Sequence, residues 1–196
     1  MALIDVIKYD APNDKSFVWK HPSDAIRLGS QLVVGEGQTA VFVKGGQALD
    51  VFDPGTHTLS TGNIPLLDKL ISIPFGGNTP FTASVWFVST TVKRDLKWGT
   101  TAPIPLMDST IGFPVSARGF GKWGVRIVDP KSFVAQIVGT QSFADDTKIY
   151  DYFIGEIVQV LVKYLSSIIA RGEASILQVS ALVSEISEPA SEVIQK

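Results

Sequence analysis

The chain changes its periodicity once, at Val128-Asp129-Pro130, and that change limits the folds open to it. Upstream, short runs rich in β-branched and aromatic residues (16–20, 31–34, 38–44) are punctuated by Gly35, Gly37, Gly45 and Gly46, a spacing that predicts strands joined in hairpins. Residues 81–88 alternate, with Phe81, Ala83, Val85 and Phe87 on one face and Thr82, Ser84, Trp86 and Val88 on the other. The second face is mixed, so coverage on both sides is expected. Residues 63–73 stay open between a helical turn at Pro65 and a strand through Leu70, Ile71 and Ile73. Val125 to Val128 reads as a last strand.

Downstream the signals are helical. Asp129 before Pro130 has the arrangement of an N-cap and first helical position, opening a short helix through about Val138 that Gly139 ends. A longer helix follows Asp145 and Asp146, with Phe153, Ile157, Val160, Leu161, Tyr164 and Ile168 at spacings of three and four, and Gly172 as its stop. A final helix is expected over about 174–187, where Ile176, Val179, Val183 and Ile186 form a narrow stripe before Pro189. With no internal repeat and no long linker, strands then helices predict one α+β domain.

Composition narrows the function classes. Lys plus Arg number 17 against 19 Asp plus Glu, which removes the basic footprint of a nucleic-acid binder. Absence of Cys removes disulfides, zinc-thiolate sites, iron-sulfur centres and thiol catalysis. Charged residues are 18% of the chain, below the average of about 25%, so more surface than usual is expected to be covered. The most apolar stretch, 149–170, carries Asp151, Glu156, Gln159 and Lys163 and reads as a core helix, not a membrane span. The N-terminus lacks the basic start and cleavage site of a secretory signal.

Gly119-Phe-Gly-Lys-Trp-Gly124 matches G-x-G-x-x-G by letter, but a strand-like segment follows where a dinucleotide site needs a helix N-terminus. A turn or bulge is the expectation. His21 and His57 stand alone in loop-like contexts beside Pro22 and after Pro54-Gly55, without the spacing of metal ligands. No Ser lies in a G-x-S-x-G context. Asp145-Asp146 suits a helix start, and Glu185 to Glu188 a solvated face. Hence no catalytic, cofactor-binding or metal-binding residue is assigned, and no cofactor is expected. Near the N-terminus Leu3, Ile4, Val6 and Ile7 form an apolar cluster suited to docking on the protein or a neighbour, or to peripheral membrane contact.

Other residues carry a resemblance. Phe52-Asp53-Pro54-Gly55-Thr56-His57-Thr58-Leu59 followed by Ile64-Pro65 resembles the Pro-Gly-x-His turn of the SPFH domain shared by stomatins, prohibitins and flotillins, the band 7 family. Gly124-Val-Arg-Ile-Val-Asp-Pro130 is similar to its last strand running into the first helix. Leu3-Ile4-Asp5-Val6-Ile7, Trp19-Lys20-His21-Pro22, Gly29-Ser30-Gln31-Leu32, Gly46-Gln47-Ala48-Leu49-Asp50, Asn63-Ile64-Pro65-Leu66-Leu67 and Lys97-Trp98-Gly99-Thr100 resemble a soluble bacterial branch labelled virion-core-protein-like.

The resemblance implies an SPFH-type α+β fold, a twisted and largely antiparallel sheet followed by C-terminal helices. The expected division is an N-terminal segment 1–27, the domain 28–190, β-rich to about 128 and helical from about 130, and 191–196 as the start of a truncated extension. It also implies a non-enzymatic, self-associating scaffold at the cytoplasmic face of a membrane, whose partners are copies of itself, membrane-associated client proteins and peripheral lipid. Nucleic acid is not among them. The competing expectation is a small-molecule-binding protein or hydrolase with a pocket between sheet and helices. Self-association is expected along Ile176, Val179, Val183 and Ile186, since a short isolated helix persists only when its stripe is covered, by the chain's own sheet or by a copy.

Overall fold

The computed structural model describes residues 5–10, 16–69, 81–139 and 146–178. The chain forms two compact units, Met1–Lys93 with Val125–Lys148, and Arg94–Gly124 with Ile149–Lys196. The fold is α+β, with mostly antiparallel sheets and helices towards the C-terminus.

The first unit is built on a four-stranded sheet in which β2 (Val18–Lys20) pairs with β9 (Ser84–Ser89), then β5 (Gln38–Lys44), then β6 (Gln47–Phe52). Central β5 is apolar in both phases because both faces are covered. Towards the core, Ala40 lies opposite Phe87 and Phe42 opposite Val85. This face packs with Leu32, Leu59, Ile64 and Leu67 into one buried cluster. On the reverse face Val41, Val88 and Val18 are buried, as is Val134 of α2 (Pro130–Gly139), the helix that packs against β5, β6 and β9.

A three-stranded sheet joins β1 (Val6–Lys8) to β4 (Gln31–Val34) in parallel and β4 to β7 (Gly55–Thr58) antiparallel. A small pair joins β3 (Ala25–Ile26) to β8 (Phe81–Thr82). Helix α1 (Pro65–Asp68) is one turn long, which settles the open reading at Pro65; residues 70–80 lie outside the described residues. Its Leu66 and Leu67 N–H groups donate at 3.1 and 2.7 Å to the carboxylate of buried Asp50, on β6, so a distant strand caps it. The start of α2 agrees with the local reading: Asp129 accepts from the Ser132 N–H at 3.0 Å and from its hydroxyl at 2.6 Å, with Pro130 next in the chain. Those two bonds, the hydroxyl first, hold the Asp129 carboxyl below its ordinary range.

Two expected strands end differently. Residues 81–88 divide at Ala83, whose N–H donates to the Asp24 carbonyl at 2.9 Å and leaves the ladder. The last strand, β13 (Phe120–Val125), stops before 126–128; Val128 is 80% exposed where the chain bends to bring Asp129 to the helix.

In the second unit β10 (Lys93–Gly99) pairs with β13, and β11 (Ile104–Asp108) pairs antiparallel with β12 (Phe113–Ala117). The inward phase of the β11–β12 ribbon, Leu106 with Ile104, Val115 and Ala117, packs on Ile168 and Ile169 of α3 (Asp146–Ala170). Trp98 and Trp123 of the other ribbon pack with Ile157 and Leu161 of the same helix. Helix α3 ends on Gly172, with φ of 70°, through Gly172 N–H to Ile169 O at 3.1 Å and Glu173 N–H to Ile168 O at 3.0 Å, the paired bonds of a Schellman motif.

Candidate functional site

The glycine string lies in and just before β13, not in the expected turn or bulge, and no helix follows until Pro130. Its glycines make room for an indole. A Cβ on Gly121 would stand 2.8 Å from Trp98 Nε1, and one on Gly119 3.3 Å from Trp98 Cη2. The spacing therefore records a tryptophan seated on bare backbone, and the helix N-terminus that holds pyrophosphate in a dinucleotide site is missing from this segment.

The histidines occupy separate structural positions. The His57 ring N–H donates from Nε2 to the Asp53 carbonyl at 2.9 Å, and the ring meets Phe52 edge-on at 5.1 Å. Gly55 between them has φ of 141°, which admits glycine readily and other residues with strain. The Pro-Gly-x-His turn is thus held by its own side chains. His21 stacks edge-on with Trp19 at 5.8 Å, and its Nδ1 is buried without a hydrogen-bond partner among the described residues. Burial lowers its pKa, against an opposing pull from Asp24, which favours the neutral imidazole.

His21 lines a cavity of about 350 Å³ beside β1 and β3, together with Val6, Ile7, Ser23, Arg27 and Ser30 among others. Charge at its rim is internally balanced, since Arg27 Nη1 lies 3.3 Å from Asp5 Oδ2. The Ser23 hydroxyl is 3.3 Å from the Ala25 N–H and 3.5 Å from its carbonyl, so it is engaged locally and makes no nucleophile–base pair with His21. Among the described residues no group of three His, Asp or Glu is placed to hold a metal ion. No described helix is long and apolar enough to cross a membrane.

Of the N-terminal cluster, Ile7 is 4% exposed and packs into the core from β1, whereas Val6 is 53% exposed; Leu3 and Ile4 lie outside the described residues. Of the final stripe, Ile176 is described, and it packs partly buried against Leu106, Ile168, Ile169 and Ala174 of its own chain. Val179, Val183 and Ile186 lie outside the described residues. Ser175 and Ile176 bond to a remote carboxylate, residues 176–178 form a turn, and the rest of the helix expected over about 174–187 lies outside the described residues.

That carboxylate is Asp108, fully buried at 0% exposure. Its Oδ1 accepts from the N–H groups of Thr110 and Ile111 at 2.9 and 3.3 Å, within the β11–β12 turn. Its Oδ2 accepts from the Ser175 hydroxyl and the Ile176 N–H, both at 2.8 Å. The Ile176 N–H, then Ser175, Thr110 and Ile111, lower its pKa despite burial. Sequence reading missed this residue. The available signal was phase: Asp108 shares the inward face of β11 with Ile104 and Leu106.

Exposed apolar side chains remain on the two ribbons of the second unit: Met107, 58% exposed, on the outer face of β11, Phe120, 87% exposed, on β13, and Phe113, 69% exposed, at the start of β12 in the phase of Val115 and Ala117.

The architecture is that of an α+β protein, with mostly antiparallel sheets followed by helices towards the C-terminus. By sequence comparison residues 17–196 match the SPFH domain-Band 7 family, and the chain belongs to that family. It is 30% identical over 169 residues to uncharacterized protein YdjI of Bacillus subtilis (strain 168), a match covering 84% of this chain and 51% of that protein. The chain therefore spans about half the length of that relative. No solved structure matches.

Proposed function

We propose that this chain is a non-enzymatic scaffold domain that self-associates and gathers other proteins at the cytoplasmic face of a membrane. Family membership over residues 17–196 supports the scaffold class. The observation that carries self-association is the exposure of Phe113 and Phe120 on ribbons of the second unit, where a copy burying them removes two aromatic faces from water. The stripe Val179, Val183 and Ile186, with Ile176 at its start, is the second element assigned to the contact. Peripheral lipid contact is assigned to Val6 with Leu3 and Ile4, while Ile7 serves the core.

Gel filtration with light scattering at micromolar concentration is expected to give a mass above one 21.1 kDa chain. The double change Phe113→Ser, Phe120→Ser is expected to lower that mass with unchanged circular dichroism. A wild-type monomer throughout the range overturns self-association. Co-flotation with anionic vesicles is expected to be weak and reduced by Val6→Asp; complete flotation that resists both salt and this change refutes the peripheral assignment.

A further inference from the structure

We infer that Asp108 is a positioning residue that clasps the turn after α3 to the β11–β12 hairpin and so fixes the path of the chain leaving that helix. The inference rests on the self-association reading only for its consequence, because the proposed contact residues follow this turn.

The chain is delivered to the clasp by the glycine end of α3. From Gly172 it reaches Ser175-Ile-Leu-Gln178, whose bonds are those of a capping box. The Leu177 N–H donates to Ser175 Oγ at 3.4 Å, the Ser175 N–H donates to Gln178 Oε1 at 3.4 Å, and the Gln178 N–H donates to the Ser175 carbonyl at 2.8 Å. One hydroxyl proton and two lone pairs let Ser175 accept from Leu177 while donating to Asp108 at 2.8 Å.

A capping box alone is a weak local constraint, and the backbone it closes can fray. Asp108 adds an anchor 67 residues away in sequence. Its other oxygen holds the N–H groups of Thr110 and Ile111, so one carboxylate ties the hairpin turn and the post-helix turn together. The charge is met by N–H and O–H donors converging on a fully buried group, an arrangement in which losing one donor set leaves a buried acceptor unsatisfied. Ser109 reinforces the junction by donating its hydroxyl to the Ile169 carbonyl at 2.8 Å, at the last turn of α3.

Hydrogen–deuterium exchange on the 196-residue chain tests this, with Asp108→Asn, Ser175→Ala and Ser175→Thr compared to wild type. The Asn amide has one accepting oxygen and a nitrogen that only donates, so Asp108→Asn is expected to accelerate exchange at least about tenfold over whichever of 109–111 and 175–178 faces the nitrogen. Ser175→Ala is expected to accelerate 175–178 while leaving 109–111 at the wild-type rate, and Ser175→Thr is expected to restore protection. Unchanged exchange in Asp108→Asn overturns the clasp, whatever the mass. Should that variant fail to fold, the Ser175 pair decides: acceleration spread evenly over the second unit, or no rescue by Thr, overturns it. Light scattering on the same samples separates the two ideas. A monomeric wild type refutes self-association and leaves the exchange result to judge the clasp.

Discussion

Gly121→Ala isolates the role of the glycine string. The added Cβ would stand 2.8 Å from Trp98 Nε1, 3.1 Å from Cε2 and 3.3 Å from Cζ2, where ordinary contacts begin near 3.4 Å. The atoms met belong to a rigid indole whose other contacts are Ile157 and Leu161, so the ring cannot swing away without opening that cluster. Overpacking of this kind costs about 1–3 kcal/mol. Alanine offsets about 0.5–1 kcal/mol of that through lower backbone entropy in the unfolded chain. A net loss of about 1.5 kcal/mol corresponds to an apparent melting midpoint lower by about 3–6 °C at this chain length. Gly119→Ala meets Trp98 at 3.3 Å and is expected to fall between Gly121→Ala and wild type. Gly155→Ala, on α3 with nothing within 4 Å, is the control, expected to gain about 0.5–1 kcal/mol. Thermal melts followed by circular dichroism and tryptophan emission check the order. A Gly121→Ala protein that melts at or above wild type with unchanged emission refutes the indole seat.

Asp50→Ala removes the acceptor for two N–H groups of α1 and is expected to cost about 2 kcal/mol in urea unfolding at unchanged slope, with Asp50→Asn recovering part of the loss. Acid stability is expected to report Asp108 and Asp129, whose folded pKa values both lie below the ordinary carboxylate value. Groups lowered on folding stabilise fully above the unfolded pKa and lose that contribution as pH falls through the folded values, so the two carboxylates predict a fall in melting midpoint below about pH 4, after the earlier decline that the lowered His21 pKa brings as pH drops below about 6.5. Ser175→Ala, by removing one donor to Asp108, is expected to reduce the drop below about pH 4, and a drop there that this variant leaves unchanged contradicts the assignment.

The features legible in the sequence are those decided within a few residues. Asp129, Pro130 and Ser132 complete their helix start locally, and Gly172 ends α3 through bonds three and five residues back. The β5 run was legible because its apolar content in both phases is a property of the strand itself. Misreadings fall where a distant group competes for backbone. Ala83 leaves the ladder for Asp24, far upstream, and Asp108, which sequence reading missed, takes donors from Ser175 and Ile176. Gly119 and Gly121, expected in a turn or bulge, lie against Trp98 instead, because the indole that needs their bareness comes more than twenty residues earlier. Neither period nor propensity carries such pairings.

Asp50 and Asp108 show what such a pairing looks like from the strand side. Each is a carboxylate buried on a strand that also carries buried apolar residues, and each is satisfied by N–H groups of a later segment, α1 in one case and the 175–178 turn in the other. A buried acidic residue on a strand without a cation beside it must find such donors, because desolvating a bare carboxylate costs more than the strand can supply. In the first unit that capture completes a core whose sheet is already covered on both faces. In the second, the ribbons have one face on α3, and they still expose Met107 and Phe120, with Phe113 exposed at the strand end beyond the packed residues. Apolar surface left over after internal docking is where association gains most from removing water. For that reason the proposed contact is placed on the second unit, with Asp108 holding its backbone in register.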